Sequence, residues 1–383
     1  MARELCGMFR AKTVMVIGAG ASVEVGLPMG PELLRSIVQL TDIKFNFNRQ
    51  SFGDHLIIEA LRIHLNEGAS VVKLNAHIKA GWRLAKSATQ AMSIDNVIDA
   101  LENSEVELIG KLGIVRAIWR AEAASLFFRV PEGVNEGLNL SKFNDNWYGS
   151  LTKLLTENVK LSEIEGIFDN FQIINFNYDR CLEHYLPFSL AGYYGVELAW
   201  IRELMQRLVV HRPYGVAGKL PWQVGVGPSA DFGGGSAQCL SDVAQQVRTF
   251  TERVEEGEQL AAMKASIANA DRVIFLGFAF HRQNVELLAT KMQDHAEILA
   301  TCFRISESDK SVIEEELEKA FQHEFSLDDK RITLTNATCA QLFQEYWRTM
   351  TAVRGEHEPY ANSMQNIRSF QMPVFGQIFG KRR

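Results

Sequence analysis

Only five cysteines occur in 383 residues, at Cys6, Cys181, Cys239, Cys302 and Cys339. No two stand at C-x-x-C spacing, so neither a zinc knuckle nor a thioredoxin-like motif can be assembled from them. An odd, scattered set also argues against a disulfide framework. A reduced, cytoplasmic protein is the expectation. Long apolar runs are missing too. Val14 to Ile17 falls far short of the roughly 20 residues that span a bilayer, and residues 1–12 carry charges without the apolar centre of a cleavable signal. No membrane is therefore expected. Basic excess is also absent: 40 Lys and Arg against 46 Asp and Glu give a net charge of −6. That balance disfavours a chain built mainly for direct nucleic-acid binding.

What is present is ordinary globular composition, 46% hydrophobic and 22% charged, which excludes wholesale disorder. The length suggests two to three units, or one domain carrying a large insertion. A β-branched run at 13–17 ends in Gly18-Ala-Gly-Ala-Ser22, the strand, glycine turn and helix that open a doubly wound α/β domain. Pro31 then suits the first turn of a helix over 32–40. Residues 51–165 are mostly helical by periodicity, with one long helix expected over 106–129. Strands follow at 171–176 and 208–211, a glycine-rich surface loop at 218–235, and a helix over 241–268 with a break near Gly257. Alternation continues with strand 272–276, helix 283–293, strand 297–305, helix 310–322, edge strand 332–334 and helix 339–350.

The fold class expected is therefore α/β, a Rossmann-like doubly wound parallel sheet with a large helical insertion. Residues 1–50 would form its first part, 51–166 the insertion, 167–350 the remainder and 351–383 a C-terminal tail. That tail carries Phe370, Met372, Phe375 and Phe379 at irregular spacing and ends in Lys381-Arg-Arg383. It reads as a surface tail or a docking segment.

Four predicted strand ends carry unusual chemistry. Gly18-Ala-Gly20 allows backbone to approach a pyrophosphate. Val23 stands where a dehydrogenase fingerprint needs glycine, and Asp42 lies in no clear strand, so an ordinary dehydrogenase is disfavoured. Asn175-Phe-Asn-Tyr-Asp179 places amides and a carboxylate on an apolar strand's end, where they need partners. A turn or helix cap would serve as well as a ligand there. His211 closes another strand before Arg212-Pro-Tyr-Gly215, where an imidazole can take a proton near neutral pH. Gly277-Phe-Ala-Phe-His-Arg-Gln-Asn284 follows the fourth.

As an ordered set these motifs, with Gly26-Leu-Pro28 and Ser93-Ile-Asp95, resemble the sirtuin superfamily, in particular its divergent bacterial branch in antiphage defence. The resemblance spans roughly residues 13–345 and implies NAD as substrate. Carried onto this chain, Gly18, Ala19, Gly20 and Ser22 would cradle phosphates, and Asn177 would orient the nicotinamide ribose and the attacking group. Asp179 would support that strand end or a ribose hydroxyl, Gly277, Phe278 and Asn284 would lie near the adenosine, and His211 would be the general base.

Two departures from deacylating sirtuins stand out. Tyr214, not the histidine, precedes the glycine, and no cysteine pairs exist for the four-cysteine zinc module, so no metal is expected. Water is then the expected nucleophile, giving nicotinamide and ADP-ribose. The resemblance further implies a large homo-oligomer pairing with a HerA-type ATPase. An NAD-dependent deacylase and a non-catalytic NAD or ADP-ribose sensor remain the alternatives.

Overall fold

The computed structural model describes residues 9–47, 49–65, 71–128, 138–249, 252, 257–322 and 331–352. Six strands form one all-parallel sheet: β1 (Thr13–Ile17), β4 (Phe171–Asn175), β5 (Val209–His211), β6 (Arg272–Leu276), β7 (Glu297–Thr301) and β8 (Ile332–Thr335). A separate antiparallel hairpin pairs β2 (Lys44–Asn46) with β3 (Arg49–Phe52). The parallel order is β5-β4-β1-β6-β7-β8, so chain direction across the sheet reverses between β1 and β6. This is the Rossmann-like, doubly wound arrangement, and sheets of this kind generally take ligands beyond the carboxyl ends of the strands at such a reversal.

The central strands are apolar throughout because both faces are covered. Met15 and Ile17 of β1 enter one core with Phe171, Ile173, Ile274 and Leu276, while Val14 and Val16 enter the opposite core with Ile174, Val273 and Phe275. Each such side chain contributes about 1.5–3 kcal/mol on burial. A third core is mostly helical. It joins Ile37 and Leu40 of helix Gly30–Thr41, Ile57 and Leu61 of His55–His64, Ile109 and Trp119 of Ser104–Ala124, and Leu240 and Val243 of Ala237–Ala244. Helix Gly30–Thr41, on the N-terminal side of residue 51, thus packs with this helical block. Trp147 and Leu151 of helix Trp147–Thr156, before residue 166, pack into the sheet's first core.

Several element boundaries differ from the periodicity, each for a tertiary reason. The helix expected over 241–268 with a break near Gly257 is two, Ala237–Ala244 and Glu258–Ala268, the second opening at Gly257 as expected and the first ending earlier, at Ala244. Between them the chain is drawn to the strand ends, where Arg248 N–H donates to Tyr214 O at 3.1 Å and Tyr178 Oη–H to Arg248 O at 2.7 Å. The helix expected to reach 293 stops at Leu288, because Thr290 and Met292 N–H groups bond the carbonyls of Ala320 and Phe321. Strand β7 ends at Thr301 rather than 305, where Ile305 N–H turns back to Cys302 O. The long insertion helix ends at Ala124, with Ser125 extended at ψ 164°. The last helix divides at Tyr346 into Cys339–Glu345 and Trp347–Thr351. The tail expected from 351, with its four spaced apolar side chains, lies outside the described residues after Ala352. No described helix is long and apolar enough to cross a membrane.

Candidate functional site

All four motif-bearing turns emerge at the carboxyl edge of the sheet, and two of them interlock. After β1, Gly18 is extended and the four-residue helix Ala19–Ser22 begins. After β6, Gly277 takes φ +56°. Gly18 N–H donates to Leu276 O and Gly20 N–H to Gly277 O, both at 2.9 Å. A Cβ on Gly18 would stand 2.6 Å from Gly277 O, one on Gly20 2.9 Å from Gly277 Cα, and one on Gly277 2.0 Å from Ala21 N. These three glycines are therefore required by the approach of the two turns to each other. The amide of Gly20, expected to face a phosphate, is already bonded within the protein.

A buried polar network joins β4's end to the same turn. Asn177 Nδ2 donates to Gly18 O at 3.0 Å and to Ser22 Oγ at 3.2 Å, and Ser22 Oγ–H donates to Asp179 Oδ2 at 2.8 Å. Asn177 N–H in turn donates to Asn175 Oδ1 at 2.9 Å, and Cys181 N–H to Asp179 Oδ1 at 3.0 Å. Ser22, Asp179 and Asn177 are only 2%, 5% and 7% exposed, so these bonds replace water rather than supplement it. Ser22 is thus an internal linker; of the expected cradle, Ala19 is the exposed member. The Asn177 amide group is committed inward, and its Oδ1 receives no hydrogen bond from a described residue. Burial, then the charges of Asp179 and Glu122, push the adjoining Cys181 thiol well up, so it is inert.

Two arginines clamp the backbone around this network. Arg180 and Glu122, both fully buried, form an ion pair from Arg180 Nη2 to Glu122 Oε2. Glu122 Oε1 also accepts from Arg180 N–H at 2.9 Å and Nε–H at 3.0 Å, and Oε2 accepts from Gly233 N–H at 3.1 Å. Arg180 donates onward to Ala230 O at 2.7 Å and Asp231 O at 2.9 Å. The loop over 218–235 is consequently bolted to the insertion helix and to the turn after Asp179, not laid loosely over the surface. Arg212 grips the same turn from the other side, through the carbonyls of Asn177 and Asp179.

His211 shares no hydrogen bond with Asn177 among the described residues. It lies opposite Ile174 in register, so its imidazole faces the core that holds Ile174, Met263 and Ile267. There Nε2 meets Ser266 Oγ at 2.9 Å. Ser266 Oγ–H donates to Ala262 O at 3.0 Å, an arrangement that suits a His211 tautomer with its proton on Nε2 and its lone pair on Nδ1. Burial lowers the His211 pKa, which favours the neutral ring. Asn284 Oδ1 accepts from Tyr214 Oη–H at 2.6 Å, tying the loop after β6 to the segment after β5. Phe278 is buried edge-on against Phe176, centroids 5.1 Å apart, as a wall.

The structure therefore brings together Gly18, Gly20, Ser22, Asn177, Asp179 and Gly277, and separately Phe278, Tyr214 and Asn284, while His211 pairs with Ser266. Sequence reasoning missed Glu122, Arg180, Glu183, Arg212 and Ser266 as site residues. Only Arg212 carried a signal, its place between His211 and Pro213. No group of three or more His, Cys, Asp or Glu that could hold a metal ion forms among the described residues. The chain matches no protein-family model and no curated protein.

Proposed function

We propose that this chain hydrolyses NAD to nicotinamide and ADP-ribose. The observation that supports this most is Asn177. Its side chain is fixed at the ligand edge of the sheet by two inward hydrogen bonds, and its Oδ1 is left as an acceptor. Cleaving the nicotinamide–ribose bond develops positive charge on the sugar, so a held ribose and a directed nucleophile are the minimum requirement. Asn177 Oδ1 would accept from a ribose hydroxyl or the attacking water. His211 Nδ1, kept neutral by burial, would receive the water's proton. The glycine turns, with exposed Ala19 at the start of the helix, would receive the phosphates, and Asn284 and Phe278 would lie toward the adenosine. Antiphage defence, a homo-oligomer and a HerA-type ATPase partner belong to this reading through the motif resemblance.

One observation favours a second reading. Every polar atom named in the Ser22–Asp179 pair is engaged internally, and His211 is bonded to Ser266 rather than to Asn177. A chain that binds NAD or ADP-ribose without chemistry would look the same. Incubating the purified chain with NAD, alone and with a HerA-type ATPase, and separating products by liquid chromatography decides between them. Nicotinamide plus ADP-ribose from the wild type but not from Asn177→Ala is expected, with rates normalised to folded protein. Binding without product in both arms would refute hydrolysis and favour the sensor. Turnover only with an acylated peptide would favour deacylation.

A further inference from the structure

We infer that Arg212 is a positioning residue that sets where Asn177 sits. The inference rests on the NAD-hydrolase reading for its effect on catalysis, but its structural half can be tested without it. Sheet pairing of β4 ends at Ile174 on the β5 side and at Asn175 on the β1 side. Beyond those points the carbonyls of 177 and 179 have no strand ladder to join, and buried carbonyls need donors. Arg212 Nη1 supplies both, at 2.7 Å to Asn177 O and 3.1 Å to Asp179 O. Its Nε and Nη2 meanwhile fork onto Glu183 Oε1 at 3.1 and 2.5 Å.

Glu183 lies in the first turn of helix Cys181–Tyr194, which starts directly after the clamped turn. The ring is thus closed: strand end, helix, Glu183, Arg212 and back to the strand end. Only a planar guanidinium can serve two carbonyls and a carboxylate in one plane; a lysine ammonium cannot. The pair is also costly in a way that a purely stabilising pair would not be. The Arg212 and Glu183 side chains are 11% and 7% exposed, yet the buried Glu183 Oε2 receives no hydrogen bond from a described residue. An unsatisfied buried acceptor is unfavourable, and this is the cost of holding Arg212 in its orientation.

The test uses Arg212→Ala, Arg212→Lys and the double variant Arg212→Met/Glu183→Leu. The double variant removes both charges and so avoids stranding a buried carboxylate if the single variant fails to fold. Amide hydrogen exchange of the peptide spanning residues 176–181 should speed up selectively in all three, while peptides from β7 and β8 stay unchanged. The kcat for NAD should fall roughly 10- to 100-fold, as for a misplacement on the order of 1 Å, with KM nearly unchanged. Added guanidinium should restore part of the rate in Arg212→Ala, and Arg212→Lys should stay low. Unchanged exchange at 176–181 in the folded double variant, or an unchanged kcat there, overturns the inference. If the wild type turns over no NAD, the hydrolase reading fails, and the exchange rates alone decide whether Arg212 holds the turn.

Discussion

Breaking the Glu122–Arg180 pair gives the most direct test of how the helical block is coupled to the strand ends. Glu122→Leu leaves a guanidinium with 0% exposure and no counter-charge, a change that costs about 3–5 kcal/mol. Replacing both partners, as Glu122→Leu/Arg180→Met, removes that stranded charge. It still abandons the carbonyls of Ala230 and Asp231 and the N–H groups of residues 180 and 233, all bonded to the pair in the wild type. The double variant should therefore recover part of the loss but not all of it. Urea unfolding followed by tryptophan fluorescence reads this, with Trp119, one of six tryptophans, lying one helical turn from Glu122 and donating its Nε1–H to Ala217 O at 2.7 Å. The expected result is a double variant more stable than Glu122→Leu by at least about 1 kcal/mol. A double variant no more stable than Glu122→Leu, or a single variant that costs less than about 1 kcal/mol, would refute the claim that this pair carries the coupling.

Gly277→Ala combines a left-handed backbone with a Cβ 2.0 Å from Ala21 N, so backbone must move; a loss above about 3 kcal/mol is expected in the same assay. Gly26→Ala is the control: φ is +91° but no described residue lies within 4 Å of its Cβ, so only about 1–2 kcal/mol of strain is expected, and equal losses would refute the interlock. His184 stacks on Phe232 with centroids 3.9 Å apart, and burial lowers its pKa from 6.5 to about 4. The folded state then binds fewer protons than the unfolded, so stability is full above pH 6.5 and is lost as pH falls towards about 4. His184→Phe should remove up to about 3 kcal/mol of that dependence, measured as wild type minus variant across the window; parallel curves would refute it.

The sheet was legible because its central strands are buried on both faces, which forces continuous apolar runs such as Val14 to Ile17 between turn residues. Hairpin β2–β3 was not, because its residues are largely exposed and include Lys44, Asn46, Arg49 and Gln50, which carry no period-2 apolar signal. Helix ends at Ala244 and Leu288 were misplaced because distant backbone, at Tyr214 and Ala320, captures the chain after them. The motif residues were found by type and position at strand ends. Glu122 and Glu183 were invisible in sequence, since each sits in an ordinary helix and gains meaning only from an arginine 58 or 29 residues away.

The glycines themselves show why a motif can be right in place and ambiguous in role. A Cβ on Gly20 would meet Gly277 Cα at 2.9 Å, so Gly20→Val disturbs packing whether or not phosphate binds, and its effect on NAD affinity proves nothing. Ala19 is the position where the two roles separate. It is exposed and opens the helix after β1, so Ala19→Glu adds a charge without a clash. An acidic side chain in a first helical turn is neutral to slightly stabilising, by up to about 1 kcal/mol. The same charge about 6 Å from a bound phosphate costs about 0.7–3 kcal/mol at effective dielectric constants between water and a protein surface, which is roughly a 3- to 100-fold rise in the Kd for NAD. Ala19→Lys should move the Kd the other way, and both shifts should shrink with added salt. Calorimetric titration of the two variants beside the wild type measures this directly. If both bind NAD as the wild type does while unfolding normally in urea, the turn is a packing device, and the phosphates, if they bind, bind elsewhere.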